Sequence, residues 1–121
     1  MSSGNDTTFS VGTTRYCRPG CGLTQVTTES DAQITCPFAF TASNLGINVN
    51  RNAAVTNSSS TFYQNGSGTA VTLVITSLTT GYYEDTTNSV TVAATDTISF
   101  EVIVGTVGNL GVASLAVKAV T

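Results

Sequence analysis

Residues Thr69–Gly105 read TAVTLVITSLTTGYYEDTTNSVTVAATDTISFEVIVG, and their periodicity decides the fold class. Ala70–Thr76 is dense in Val, Ile, Leu and Thr. Ser89–Ala93 alternates, with Val90 and Val92 on one side and Ser89, Thr91 and Ala93 on the other. Thr97–Val104 alternates again: Ile98, Phe100, Val102 and Val104 share one face, and Thr97, Ser99 and Glu101 share the other until apolar Ile103. Alternation of this kind in β-branched residues predicts three strands, each with one buried face. The breaks between them are built from Gly, Asp, Asn, Ser and Thr, and Thr79–Asn88 reads as a long connection.

The rest of the chain supplies partners for these strands. Met1–Thr8 is small and polar without a period, and is expected to be a flexible N-terminal arm. Such an arm either frays or binds a neighbour, and Phe9 and Val11 are the first residues able to anchor it. Thr13–Cys17 predicts a short strand, and Arg18-Pro19-Gly20 predicts a turn of type II. Thr24–Thr28 resumes an extended course. Asp31–Phe38 predicts a strand with Pro37 at an edge or bulge, because proline cannot donate to a ladder. Thr41–Asn44 reads as a turn, and Leu45–Asn50 then alternates with Leu45, Ile47 and Val49 inward. Arg51–Ser60 reads as a loop. Thr61–Gln64 and Ala70–Thr76 flank Asn65-Gly66-Ser67-Gly68, a strong hairpin signal. Val112–Val120 alternates imperfectly and is read as a strand rather than a helix, since Val is frequent and no capping box precedes it.

These elements predict an all-β fold: a single antiparallel jelly-roll sandwich of about eight strands over residues 9–121, preceded by the flexible arm, residues 1–8. The chain has 121 residues, enough for one core. Only 9% of residues are charged, against ~25% in a typical domain. The surface is therefore one of hydroxyls and amides, able to touch neutral neighbours without like-charge repulsion. The four cations, Arg15, Arg18, Arg51 and Lys118, are scattered, whereas phosphate recognition needs them clustered, so no nucleic-acid partner is expected. No apolar run of ~18 residues exists to span a membrane. MSSGNDTTF has no basic region followed by an apolar core and does not read as a secretory signal. The chain has no His, so no Ser-His-Asp or Cys-His arrangement can be assembled within it. No enzyme activity and no cofactor are expected.

Four segments occur in a distinctive order: Asp31-Ala32-Gln33 with Pro37 after it, Ser43-Asn44-Leu45, Thr61-Phe62-Tyr63-Gln64-Asn65-Gly66, and Asp85-Thr86-Thr87-Asn88-Ser89-Val90-Thr91-Val92-Ala93-Ala94-Thr95-Asp96. This order resembles the small jelly-roll domains, similar to the tumour necrosis factor and C1q folds, of tailed-phage structural proteins and some bacterial surface proteins. The resemblance covers roughly Ala32 to Val104. It departs at Thr95, where the pattern has Gly, and at Gln64, where a basic residue is usual; a type I turn at Thr95 would tolerate Thr. The resemblance implies a homotrimer on a virion, as a capsid decoration (cement) protein or a fibre head. No heptads or Gly-x-y repeats are present to form a shaft, which favours decoration. The expected partners are the chain itself and the major capsid protein or other virion proteins. The expected contact arm comprises Ser2, Asn5, Asp6, Thr7, Thr8 and Phe9. Two alternatives stand beside it: an extracellular filament or surface-layer subunit assembled by strand exchange, and a receptor- or carbohydrate-binding head using Tyr82, Tyr83 and Asn57–Ser59.

Three further sets invite chemistry. Cys17 and Cys21 flank a turn at a spacing that permits a disulfide, leaving Cys36 as a small buried hydrophobe; all three reduced, or Cys36 paired with one of the others, are the alternatives. Three Cys without His fall short of a four-ligand zinc site. Glu84, Asp85 and Asp96 are hard oxygen ligands of the type that calcium takes, but lack the EF-hand spacing, and no metal is expected. Against these readings, Glu84 and Asp85 are expected to be a solvated loop, and Asp96 to bond its own turn.

Overall fold

The computed structural model describes residues 2–20 and 22–121. The chain forms strands β1 Ser2–Phe9, β2 Thr14–Cys17, β3 Gln25–Val26, β4 Ile34–Thr35, β5 Phe40–Asn52 and β6 Ser58–Gln64. It continues with β7 Ser67–Ile75, β8 Gly81–Glu84, β9 Ser89–Val92, β10 Thr97–Ile103 and β11 Leu110–Val120. One 3₁₀ turn, Glu29–Ala32, is the helical element among the described residues. Two antiparallel sheets result. The first runs β1-β11-β5-β8, with β9 also on β5; the second runs β3-β2-β10-β6-β7, with β4 also on β10. Their inner faces share one apolar core, an arrangement compatible with a β-sandwich.

The strands read from periodicity fall close to their expected places, and the core follows from them. Ile98, Phe100 and Val102 of β10 line the inner face of the second sheet beside Phe62 of β6 and Val71, Leu73 and Ile75 of β7, all in one buried cluster. The Phe62 and Phe100 rings meet edge to face with centroids 6.0 Å apart. Asn65-Gly66 joins β6 to β7 with φ of 51° and 79°, the two left-handed residues of a type I′ turn.

Strand β5 departs from expectation. Thr41–Asn44 is not a turn; β5 continues through it. Phe40 and Ala42 point inward, then Leu45, Ile47 and Val49 do so with the opposite parity. The switch is a bulge. Asn44 has φ of 51°, and the register against β11 slips between Ser43↔Lys118 and Gly46↔Ala116. Strand β11 switches parity too, between Val112 and Leu115, with register slips on either side of Val112. That bulge explains its imperfect alternation.

Three other expectations are corrected. Ser2–Phe9 is not an unpaired arm but strand β1, antiparallel to β11 from Ser2↔Ala116 to Phe9↔Leu110. The backbone of β11 needs a ladder partner on that side, and Phe9 enters the core with it. Asp31–Phe38 yields only the two-residue β4, because Glu29–Ala32 turns over the outer face of the second sheet. The turn at Thr95 is not type I: Asp96 N–H closes it on the Ala93 carbonyl at 3.1 Å, and Thr95 has φ of 76°. That is where glycine is favoured and where a β-branched residue is strained.

Thr95→Gly should therefore stabilise the protein. Relief of ~1–2 kcal/mol of left-handed strain outweighs ~0.5–1 kcal/mol of extra chain entropy. The melting temperature is expected to rise by about 2–4 °C; a fall would mean that the threonine side chain supplies a contact worth more than the strain.

Candidate functional site

The residues expected to contact a partner begin with β1. Its pairing with β11 is irregular between Gly4 and Thr7, the span that holds Asn5 and Asp6. Thr7 and Thr8 are gripped by Gln25, whose amide nitrogen donates to the Thr7 hydroxyl at 3.2 Å and the Thr8 carbonyl at 2.7 Å. Phe9 is fully buried. Ser2–Phe9 thus presents the edge of a sheet, with no strand among the described residues on its far side.

Tyr82 and Tyr83 were expected in a loop but lie in β8, on opposite faces. β8 pairs with β5 from Gly46↔Glu84 to Val49↔Gly81. Tyr83 packs on the core, and its hydroxyl donates to the Thr79 carbonyl at 3.0 Å. Tyr82 lies outside over Gly46, where any Cβ would run into its phenol oxygen. Its hydroxyl donates to Glu84 at 3.3 Å. Burial, then the Glu84 carboxylate, raises its pKa. Gly46 is therefore the reason Tyr82 can lie flat on the sheet, and the two tyrosines form no joint platform.

The carboxylates also separate. β8 and β9 are two halves of one edge strand, broken at Asp85–Asn88 opposite the Asn44 bulge. Asp85 turns inward at the break and is buried. Its carboxylate accepts the N–H groups of Thr87 at 3.0 Å, Asn88 at 3.1 Å and, across the gap between sheets, Thr72 of β7 at 3.1 Å. The Asn88 amide adds two contacts of 3.0 and 3.2 Å. Burial by itself raises the Asp85 pKa, but these donors together hold it below the usual carboxylate range.

Asp96 makes a second such knot. It accepts from Gln64 at 2.7 Å, Asn65 at 3.0 Å and the Ala93 N–H at 2.8 Å, and these donors, Asn65 foremost, lower its pKa. The Gln64 amide also donates to the Thr91 carbonyl at 3.0 Å. Both aspartates spend their lone pairs on N–H groups, and no cluster of metal-ligating side chains occurs among the described residues.

Cys17 and Cys36 are buried free thiols. Burial pushes the Cys17 thiol up to about 12. Burial, then Asp96, raises Cys36. Cys21 lies outside the described residues, and the expected Cys17–Cys21 disulfide falls there with it.

Sequence reasoning missed a polar cluster on the outer face of the second sheet. Ser99 and Glu101, polar positions of β10, are buried rather than solvated. Ser99 donates to Glu29 at 2.6 Å, and Gln33 donates to the other Glu29 oxygen at 2.7 Å. The Tyr63 hydroxyl donates to Glu101 at 2.6 Å, and its ring meets Tyr16 edge to face at 5.7 Å. That hydrogen bond to Glu101 is the main cause of a raised Tyr63 pKa, with burial behind it. Burial is the first cause for Tyr16, followed by Glu101. Every buried side-chain nitrogen and oxygen among the described residues has a partner. The cluster clamps the Glu29–Ala32 turn onto the sheet. Beside it lies a cleft of about 190 Å³ between Arg18, Thr24, Val26, Asp31 and Ala32, where Arg18 donates to the Asp31 carbonyl at 2.8 Å. The available signal was Glu101 itself, a charge set between Phe100 and Val102 in a strand that buries both.

No protein-family model matches this chain, and no curated protein is detectably similar to it.

Asp85→Ala strips an acceptor from three backbone N–H groups and should cost about 2–4 kcal/mol in urea denaturation. Because the folded pKa of Asp85 is depressed, its contribution is complete above the unfolded value of ~4 and fades as pH falls through the folded one. Wild-type stability should hold from pH 7 to 5 and decline below about pH 4, and the variant should show a shallower acid decline. Equal slopes for the two proteins would remove Asp85 from this role.

Proposed function

We propose that this chain is a structural virion protein: a jelly-roll subunit that decorates a phage capsid as a homotrimer and binds its lattice. The strand order carries the reading. With β8 and β9 taken as one broken strand, and the two-residue β3 and β4 set aside, eight positions remain. In chain order the first sheet then reads first–eighth–third–sixth, and the second reads second–seventh–fourth–fifth. Every connection crosses between sheets except the β6–β7 hairpin. That order supports a jelly-roll reading, in which two Greek keys interleave. The role comes from the likeness of the Asp31–Asp96 segments to phage jelly-roll domains. The sparsely charged surface supports it, because neutral hydroxyl-rich faces pack against a lattice without desolvating ions. Its partners in this reading are two further copies of itself and the major capsid protein, at the virion surface.

One observation favours a second reading, a filament or surface-layer subunit outside the cell. Strand β1 ends its sheet and offers an open edge for strand addition by a neighbour. In that case removal of residues 1–8 abolishes polymers but leaves folded monomers.

The decoration reading predicts a discrete particle of three 12.4 kDa chains in light scattering, and its retention on bare capsid shells after sedimentation. With few charges in the contact, affinity should change by less than roughly tenfold between low and high salt. Long polymers would replace this reading with the filament; a monomer that ignores shells would remove both.

A further inference from the structure

The register places four connections at one end of the molecule. Phe9, Leu110 and Asn52 align across the first sheet, and Thr14, Ile103 and Ser59 align across the second. The loops 10–13, 53–57, 76–80 and 104–109 leave from these levels. Each displays one aliphatic side chain to solvent: Val11 is 43% exposed, Val55 45%, Leu78 61% and Val107 76%. None of the residues in these loops is charged. The nearest charges, Arg15 and Arg51, sit back on β2 and β5.

This apolar end is held rigid. Val11 N–H donates to the Asn109 side chain at 2.9 Å, Val55 N–H to the Thr106 carbonyl at 2.9 Å and Leu78 N–H to the Ala54 carbonyl at 2.9 Å. Three of the four aliphatics are thus fixed through their own backbone to another loop. Thr106, beside Val107, donates its N–H to the Thr56 hydroxyl at 2.8 Å. Leu78 and Val107 are also left-handed, with φ of 57° and 81°. Glycine or asparagine adopts such positions at little cost, whereas an exposed Leu or β-branched Val there incurs backbone strain together with apolar hydration. At Leu78 the left-handed backbone closes a turn in which the Thr79 N–H donates to the Thr76 carbonyl at 3.3 Å, but the apolar side chains stay in water in the free subunit.

We propose that this loop end is the face by which the protein docks on an uncharged, apolar recess of the capsid lattice, an inference that rests on the decoration reading. The chemistry selects a protein surface. A charged partner would lose its hydration to loops that offer no counter-charge. A bilayer is a poor match as well, since the loops lack Trp, Tyr, Phe and Lys. They also interleave the aliphatics with hydroxyls and carbonyls, which need hydrogen-bonding partners that hydrocarbon does not supply. A rigid apolar centre with a polar margin is the anatomy of a preorganised protein interface.

The test is the double variant Leu78→Asn/Val107→Asn, assayed by co-sedimentation with bare capsid shells. Asparagine suits the left-handed backbone, so its melting temperature should equal or exceed that of the wild type. The expected result is retained trimer with at least a tenfold loss of shell affinity. Wild-type binding with an unweakened variant would overturn this face and leave the decoration reading standing. A wild type that ignores shells would overturn both. Flotation of the wild type with phosphatidylcholine vesicles, with or without phosphatidylserine, would reassign the end to lipid and overturn docking on protein.

Discussion

The carboxylate of Asp85 closes the open side of the molecule. There the edge strand of the first sheet breaks into β8 and β9, and β7 is the edge strand of the second sheet. A broken edge facing an unpaired edge would admit water to the core. Asp85 satisfies both at once, taking Thr87 and Asn88 from its own excursion and Thr72 from the facing sheet. Its own N–H donates to the Leu45 carbonyl at 2.8 Å, beside the Asn44 bulge. Two irregularities that would each weaken a ladder therefore lie at one level and are joined through one side chain. The parity switch in β5, which turns Leu45, Ile47 and Val49 toward the core, is tied to that junction.

Much of this was legible in the chain. The strands β7, β9 and β10 follow from side-chain alternation, and the Asn65-Gly66 turn follows from backbone chemistry that few other residues satisfy. What was not legible has physical causes. Strand β1 has no apolar period because its place is set by the backbone of β11, and backbone groups are the same in every residue. Tyr82 and Tyr83 read as loop aromatics because they sit between Gly81 and two acids. Their strand is defined by Gly46, thirty-odd positions away, whose missing side chain makes room for a ring. Ser99 and Glu101 read as solvent-facing because alternation reports which side of a sheet a residue is on and not what covers that side.

The same limit governs the candidate site. Sequence pattern singles out charged, aromatic and thiol residues, since those carry recognisable chemistry. In this protein the carboxylates of Asp85 and Asp96 are filled by N–H donors, and the Cys17 and Cys36 thiols are held protonated by burial. The Tyr63 phenol is committed to Glu101. Those groups build the scaffold. Among the exposed apolar residues, Val11, Val55, Leu78 and Val107 carry no chemical signature and lie far apart in the chain. Only the register of two sheets collects them, so a surface of this kind cannot be found by motif.

A division of labour follows from where the strain is placed. At Thr95 a left-handed residue closes a turn locked to Asp96 and Cys36, and glycine would serve better. At Leu78 and Val107 the left-handed residues sit at loop tips with their side chains in water. Strain at Thr95 is confined to a turn already held by its neighbours. Strain at the tips, joined to exposed apolar surface, is unfavourable for the free subunit on both counts. A bound partner can relieve only the second, by taking the side chains out of water. In the docking proposed for this end, the cross-loop hydrogen bonds would matter twice: they hold the geometry in the free subunit, and they would spare a complex the entropy of ordering four loops.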